Sequence, residues 1–286
     1  MDIEMLKGWI GNSESVQDRI QAFPANALAA TLDRDDPEYL AGMPLPPLWH
    51  WLHFVKVFKL CEAGYDGHPA LGGFLPPVPL PRRMWAGSRL QFFAPMRIGR
   101  ELTKKSTVTS VESKHGRGGD LVFVTVRHEI FDGNDVCLDE EHDIVYRAPP
   151  EPGDPPLKLR PTPDSSDFSR SIHPDPVLLF RYSALTFNGH RIHYDQPFCT
   201  ENEGYEGLVV HGPLLATLLL DLLRRERPDA EVTAFEFRAL APVFDAHDFS
   251  VHGASGDDPS KFRLWVRRHD GELAMDATAT VAGRSK

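Results

Sequence analysis

Two stretches of the chain follow one plan, and what lies upstream of each follows one plan as well. Residues 120–147, DLVFVTVRHEIFDGNDVCLDEEHDIVYR, and 261–284, KFRLWVRRHDGELAMDATATVAGR, alternate apolar with polar positions, turn at an Asp-Gly or Gly-Asn signal, alternate again and stop at an arginine. Period-two patterning around such a turn predicts an antiparallel hairpin. Residues 88–114, SRLQFFAPMRIGRELTKKSTVTSVESK, match 233–257, TAFEFRALAPVFDAHDFSVHGASGD, with an aromatic strand, an Ala-Pro break and a second strand in each. Further upstream each half carries a long apolar helix candidate, LWHWLHFVKVFKLCEAG at 48–64 and PLLATLLLDLLRRERP at 213–228. Pro213 suits a first helical turn, and Arg224 and Arg225 suit a last one. A helix followed by about four antiparallel strands, repeated, is the expected order of elements.

The boundary between the copies is marked by seven prolines within 146–166, which exclude regular helix and central strand alike. The expected division is an N-terminal half at 1–148, a linker at 149–166 and a C-terminal half at 167–286. A helix that is apolar on nearly every side is best buried by a curled antiparallel sheet. The class is therefore α+β, and the arrangement resembles the hot-dog fold in its double form.

Composition narrows the partners. A net charge of −10 argues against nucleic acid, whose binding needs a net basic face. No apolar run approaches the roughly 18–20 residues of a membrane span; the longest, LVVHGPLLATLLLDLL, is interrupted by His211, Gly212 and Pro213. Cys61, Cys137 and Cys199 are odd in number and far apart, which suggests a reducing compartment. The acidic start, MDIEMLKGWIGNSE, has neither the h-region of a signal peptide nor the composition of a transit peptide, so cytoplasm is the expected location.

The chemistry concentrates in SALTFNGHRIHYDQP, 183–197, and in GLVVHGPLLATLLL, 207–220. A glycine opening a buried helix leaves backbone N–H groups free at its positive end, where a carbonyl oxygen would be polarised as in an oxyanion hole. Together the two segments resemble the MaoC-like (R)-specific enoyl-CoA hydratase and dehydratase family, whose motif reads roughly G-D-x-N-P-x-H followed by a Val-His-Gly at the start of the central helix. On that resemblance the catalytic histidine falls on His193, the catalytic aspartate on Asn188, the Asn-Pro pair on His190 and Arg191, and the helix glycine on Gly212. The likeness covers the second half in sequence and the first only in architecture, as in double hot-dog hydratases with one degenerate half. The version TFNGHRIHYD is similar to a branch containing mesaconyl-C4-CoA and itaconyl-CoA hydratases and mitochondrial 3-hydroxyacyl-thioester dehydratases.

The resemblance implies a hydro-lyase that adds water reversibly to an α,β-unsaturated acyl-CoA, with a branched C5 dicarboxylyl thioester preferred. It implies no cofactor, since coenzyme A arrives with the substrate. His193 would be the acid/base and Asn188 would orient water; an amide cannot exchange a proton at neutral pH. Asp195 is a second acid/base candidate if the segment is extended, or a partner of Arg191 at i,i+4 if it is helical. His190, Arg191, Tyr194 and His211 are the expected substrate-binding residues of this half. Arg191 would meet a distal carboxylate or, alternatively, pair with Asp195. Arg82, Arg83 and Arg89, beside Trp85, are expected to meet coenzyme A phosphates and the adenine or acyl chain, or else to be solvated. The run DEEHD at 139–143 reads as a solvated strand edge, and His190, His193 and His211 lack a completing metal ligand, so no metal is expected. A homodimer of such units is compatible with the fold. Besides a 3-hydroxyacyl-thioester dehydratase of fatty acid synthesis, the rivals are a thioesterase, for which Asp221 would be the helix carboxylate, and a non-catalytic acyl-thioester binding module.

Overall fold

Strands with one apolar face must bury it, and here ten of them do so in a single sheet. The computed structural model describes residues 1–69, 72–116, 119–149 and 158–283. The first half supplies β1 (Ser13–Arg19), β2 (Arg82–Phe92), β3 (Glu101–Gly116), β4 (Gly119–Asp132) and β5 (Asp135–Arg147). The second supplies β6 (Phe168–Ile172), β7 (Val232–Ala239), β8 (Phe249–Ser255), β9 (Lys261–Arg267) and β10 (Leu273–Val281). Their order is β1-β3-β4-β5-β2-β7-β10-β9-β8-β6, with every pairing antiparallel. Outward from the β2–β7 seam, each half presents its second, fifth, fourth, third and first strand. The repeat in the sequence is thus a repeat in space, and the seam, with Leu90 opposite Phe235, makes one sheet of two. This is the expected double hot-dog.

The four expected hairpin and strand segments form β2–β5 and β7–β10. The β4–β5 turn uses Gly133 at φ +64°, a conformation glycine adopts without steric cost. Of the two helix candidates, one forms: α4 (Gly212–Glu226) follows Pro213 as expected and buries every residue from Leu214 to Leu223. Its only buried charge, Asp221, is met by Arg34 Nη1 at 2.5 Å, Arg225 Nε at 2.8 Å and Arg170 Nη1 at 3.0 Å.

The other candidate, 48–64, is not a helix. Leu48 and Phe54 take positive φ (70° and 56°), and only the short 3₁₀ turns Trp49–Leu52 and Leu60–Glu62 form. Trp49, Trp51, Phe54, Val55, Val57 and Phe58 in this stretch favour helix weakly. Its apolar residues also split between environments, Trp49 and Leu52 buried, Val57 and Leu60 out in solvent. The helices of the first half are instead α1 (Ile3–Lys7) and α2 (Ala22–Thr31). Following β1, α2 packs against α3 (Pro176–Leu185), which follows β6 in the same way. Among the described residues the first half therefore keeps the flanking helix and lacks the central one.

One apolar cluster runs through both halves, from Ile20 and Leu28 to Leu219 and Met275, and a smaller one with Leu6, Val78 and Tyr146 lies under β3–β5. Of the proline-rich segment, 150–157 lie outside the described residues; 158–166 follow the β9–β10 hairpin, where Leu273 N donates to Arg160 O at 2.7 Å. Among the described residues no helix is long and apolar enough to cross a membrane.

Candidate active site

The loop after α3 is bonded largely to itself. Phe187 turns the chain at φ +50°, Asn188 N donates to Ser183 O at 2.8 Å, and Asn188 Oδ1 accepts from His190 N at 3.0 Å. This Asx-type turn leads into the 3₁₀ turn Arg191–His193. Asp195 then accepts from Phe198 N at 3.1 Å and from Arg191 Nε and Nη2 at 2.9 and 2.7 Å. The hydrogen bond from Arg191, then that from Phe198 N, holds the Asp195 carboxyl below its usual range. The helical alternative for this pair is the one realised. Asp195 is a clamp and does not partner His193, and Arg191, which also donates to Tyr65 O at 3.1 Å, is engaged within the protein.

The first half pins this loop from outside. Arg191 N donates to Asp66 O at 2.8 Å, and Gly67 lies so close to Gly189 that a Cβ there would collide with the Gly189 carbonyl oxygen. Glycine at 67 is required twice over, since its φ is +86°. Tyr194 is exposed and donates its hydroxyl back to Gly189 O at 3.0 Å, so it closes the loop.

His193 is 7% exposed, and its Nδ1 sits 2.7 Å from Val209 O. A carbonyl only accepts, so Nδ1 carries the proton and Nε2 is left as the basic nitrogen. The ring stacks on His211 with centroids 3.6 Å apart and planes 19° apart. Burial, and then the neighbouring His190, lower the His193 pKa to about 3. Burial, reinforced by His193, pushes His211 well below its ordinary value too, and its Nε2 hydrogen-bonds Ser183 Oγ at 2.8 Å. Two neutral imidazoles therefore meet where α4 begins. No side chain caps that end of α4, and among the described residues nothing beyond the adjoining chain lies within 4 Å of where a Cβ on Gly212 would stand. The helix start is thus open beside the histidines, with its dipole pointing there.

His190 lies against His68 (centroids 4.1 Å apart) and, more loosely, against His193 (5.5 Å). The set of ligand-type atoms the fold brings together is Asp66, His68 and His190, within 4.8 Å of one another, and not the His190–His193–His211 set weighed from sequence. Asp66 there accepts from His68 N at 3.0 Å and contacts His68 Nδ1 at 3.3 Å.

A cavity of about 410 Å³ is walled from both halves, by Tyr182, Asn188, Gly189 and Pro213 on one side. Among the sequence candidates, Asn188 and Trp85 line it. Trp85 lies edge-on to Trp51 at 4.8 Å and 3.9 Å from the His142 ring, inside the cavity and not on an outer coenzyme surface. Arg82 is tied to Glu203 Oε2 at 2.7 Å, and Arg89 to Glu141 and Asp143 at 2.7 and 2.6 Å, so neither is a free phosphate ligand. Arg83 has no ion pair among the described residues.

The remaining wall holds His50, Lys104, His128, Glu140 and His142, which sequence reasoning missed. Residues 139–143 are not a solvated edge, because β5 is flanked by β2 and β4. Alternation sends Asp139, Glu141 and Asp143 outward to Arg127 and Arg89, and Glu140 and His142 inward. His128 stands opposite Glu140, Ser106 opposite His128, and Ser88 opposite His142, a polar layer crossing four strands. The available signal was polarity on the inward phase of the β4–β5 hairpin, where Val124, Val126, Ile130, Leu138 and Ile144 are apolar.

A family model described as hydroxyacyl-thioester dehydratase type 2 matches residues 48–245. The chain is 45% identical over 279 residues to mesaconyl-C(4)-CoA hydratase of Chloroflexus aurantiacus, covering 96% of this chain and 97% of that one. It is 29% identical over 259 residues to the mitochondrial hydroxyacyl-thioester dehydratase type 2 of Schizosaccharomyces pombe, covering 80% and 86%. In fold it is similar to a MaoC-like dehydratase from Phytophthora capsici, with a TM-score of 0.70, 16% identity and 100% of both chains covered. It is also similar to a Mycobacterium tuberculosis protein described as a double hotdog fold, at TM-score 0.55, 15% identity and 96% of each chain. The chain therefore has a hot-dog fold, is a hydro-lyase and belongs to the hydroxyacyl-thioester dehydratase type 2 family.

Proposed function

We propose that this protein hydrates an α,β-unsaturated acyl-CoA reversibly, with a branched C5 dicarboxylyl thioester, mesaconyl-C4-CoA, as substrate. The observation that carries the reading is His193, buried and held in one tautomer by Val209 O, beside an uncapped helix N-terminus. His193 Nε2 takes a proton from water as the water oxygen bonds to the β carbon. The alkene π electrons move onto the thioester, and the enolate oxygen is met by the Gly212 N–H. The same proton then passes from His193 to the α carbon, so one water is added and the imidazole ends neutral. Asn188, in the cavity wall with its turn already formed, positions the water. The thioester itself acidifies the α carbon, and the reaction calls for no further cofactor.

On this reading the second half supplies the catalytic groups and the first half the acyl-binding wall. The relatives named for mesaconyl-C(4)-CoA hydration and hydroxyacyl-thioester dehydration support both directions of one reaction. Thioester hydrolysis is disfavoured because Asp221, the helix carboxylate, is enclosed by three arginines. The test is loss of enoyl-thioester absorbance with a panel of mesaconyl-C4-CoA, itaconyl-CoA, crotonyl-CoA and a longer enoyl-CoA, with free thiol followed in parallel. Absorbance loss without thiol is expected; thiol release would make the protein a thioesterase, and tight binding without either a binding module.

A further inference from the structure

We propose that Lys104, His128 and His142, in the first-half wall of the cavity, form the subsite for the substrate's free carboxylate and make the enzyme selective for dicarboxylyl thioesters. This rests on the hydratase reading above and assigns the part of the substrate that does not react.

The cluster contains one carboxylate, and that group is already supplied with donors. Glu140 accepts from Ser88 Oγ at 3.1 Å, from Trp51 Nε1 at 3.3 Å and from His50 Nε2 at 3.1 Å. Although burial pushes its pKa up, the His50 hydrogen bond and the surrounding imidazoles hold it down, to about 2. Glu140 is therefore an anion that orients its neighbours, and its own oxygens have little left to offer.

The donors around it are in the opposite condition. Among the described residues Lys104 Nζ reaches the Phe54 carbonyl, at 3.5 Å, lies 5.4 Å over the Phe54 ring and has no carboxylate within ion-pair distance. Glu140, Glu14 and Asp18 act on it from a distance, too weakly to offset the burial that lowers its pKa. His142 has its ring against Trp85 and makes no side-chain hydrogen bond among the described residues. His128 uses Nδ1 on Ser106 Oγ at 2.8 Å, which leaves Nε2. Burial lowers His128 to about 3 and His142 to about 4. Three half-buried basic groups thus face one cavity whose carboxylate, Glu140, takes its hydrogen bonds from other donors.

Burying donors without partners costs free energy that an incoming anion would return. A carboxylate placed among them would take a charge-assisted bond from Lys104 and draw a proton onto an imidazole. A plain hydrocarbon chain would instead cover these groups and leave them unpaired, which is how a polar pocket rejects an apolar analogue. Phe54, Phe58, Phe187 and Trp51 supply the apolar wall for the carbons between. The arginine expected to meet this carboxylate, Arg191, is held by Asp195, so the cation comes from the other half of the chain.

The test compares kcat/KM for mesaconyl-C4-CoA with that for crotonyl-CoA, in the wild type and in Lys104→Met. The wild-type preference for the dicarboxylyl ester is expected to fall by at least about 30-fold in the variant. A second measurement needs no variant: the wild type should hydrate the thioester whose free carboxylate is replaced by a carboxamide at least about 30-fold less efficiently. An unchanged preference in a folded Lys104→Met protein, or equal use of acid and amide by the wild type, overturns the subsite. If the wild type hydrates crotonyl-CoA as well as mesaconyl-C4-CoA, the subsite fails and the hydratase stands. If it hydrates no thioester, the hydratase reading fails.

Discussion

His193 Nδ1 donates to the carbonyl oxygen of Val209 across 2.7 Å, and this one bond decides which nitrogen of the ring can act as a base. Val209 lies three residues before Gly212, so the segment that orients the base also leads into the helix start that would face the thioester. The proposed base and the proposed oxyanion donor are therefore positioned by one short stretch of backbone.

Replacing His193 by Ala or Gln should lower kcat by about 10²–10⁴-fold while binding of the acyl-CoA changes little. Steady-state kinetics together with calorimetric binding of a non-reactive saturated acyl-CoA checks this. A variant that keeps most of its turnover would move the base elsewhere.

Because the His193 pKa lies near 3 and not near its ordinary 6.5, the base stays deprotonated in mild acid. The kcat/KM profile should be flat from about pH 8 to about pH 5, with no inflection near 6.5. A sigmoidal loss centred on 6.5 would show that the ring is charged in the free enzyme.

The same burial predicts acid sensitivity of the fold. His53, His128, His142, His190 and His193 all have folded pKa values lowered to about 3–4, so the unfolded chain binds more protons below 6.5. Their contribution to stability is complete above pH 6.5 and is lost as pH falls toward 4, each adding at most ~1.4 kcal/mol per pH unit. Urea titrations at pH 7.5, 6 and 5 should give steadily lower midpoints.

Asn188 carries two loads, its turn with His190 N and its place in the cavity wall. Asn188→Asp keeps the acceptor and should retain the fold and measurable turnover, whereas Asn188→Ala should lose both turn and water position and fall further in kcat. The reverse ranking would mean that a negative charge at this point is worse than a missing side chain.

Asp221→Asn should destabilise the protein by about 3 kcal/mol, since Arg170 and Arg225 would lose their carboxylate at a largely buried site and Arg34 would keep only Asp36. Denaturant unfolding measures it. Arg34 belongs to the first half and Asp221 to α4, so the loss should appear as weaker union of the halves.

Much of this architecture was legible because alternation and turn chemistry are local properties: β4–β5 and β9–β10 announce themselves within thirty residues each. The helix expected at 48–64 failed for a reason that is not local. Its aromatic residues serve the core and a cavity wall assembled from β2, β3, β4, β5 and the second half, and composition does not say which neighbour an apolar side chain will meet. His193, His211 and Gly212 could be located from their motif, and the structure brings them together. The uses made of Arg191, Asp195 and Arg82 depend on whether a loop coils and on what the other half places opposite, Glu203 in the case of Arg82. Glu140 and His142 were hidden by their outward neighbours, whose charges make the whole run look solvated.

The β2–β7 seam has a consequence for ancestry and design alike. In a dimer of identical chains every substitution is made twice, so a helix cannot be given up on one side and kept on the other. Two copies joined in one polypeptide escape that symmetry. One copy can carry the central helix and the loop with His193 while the other has short turns at the corresponding place and presents Lys104, His128 and His142 from its strands. On the proposed reading, selectivity and reactivity draw mainly on opposite sides of the seam, so each can be altered by substitutions on its own side, apart from the Asp66–Gly67 contact that pins the loop.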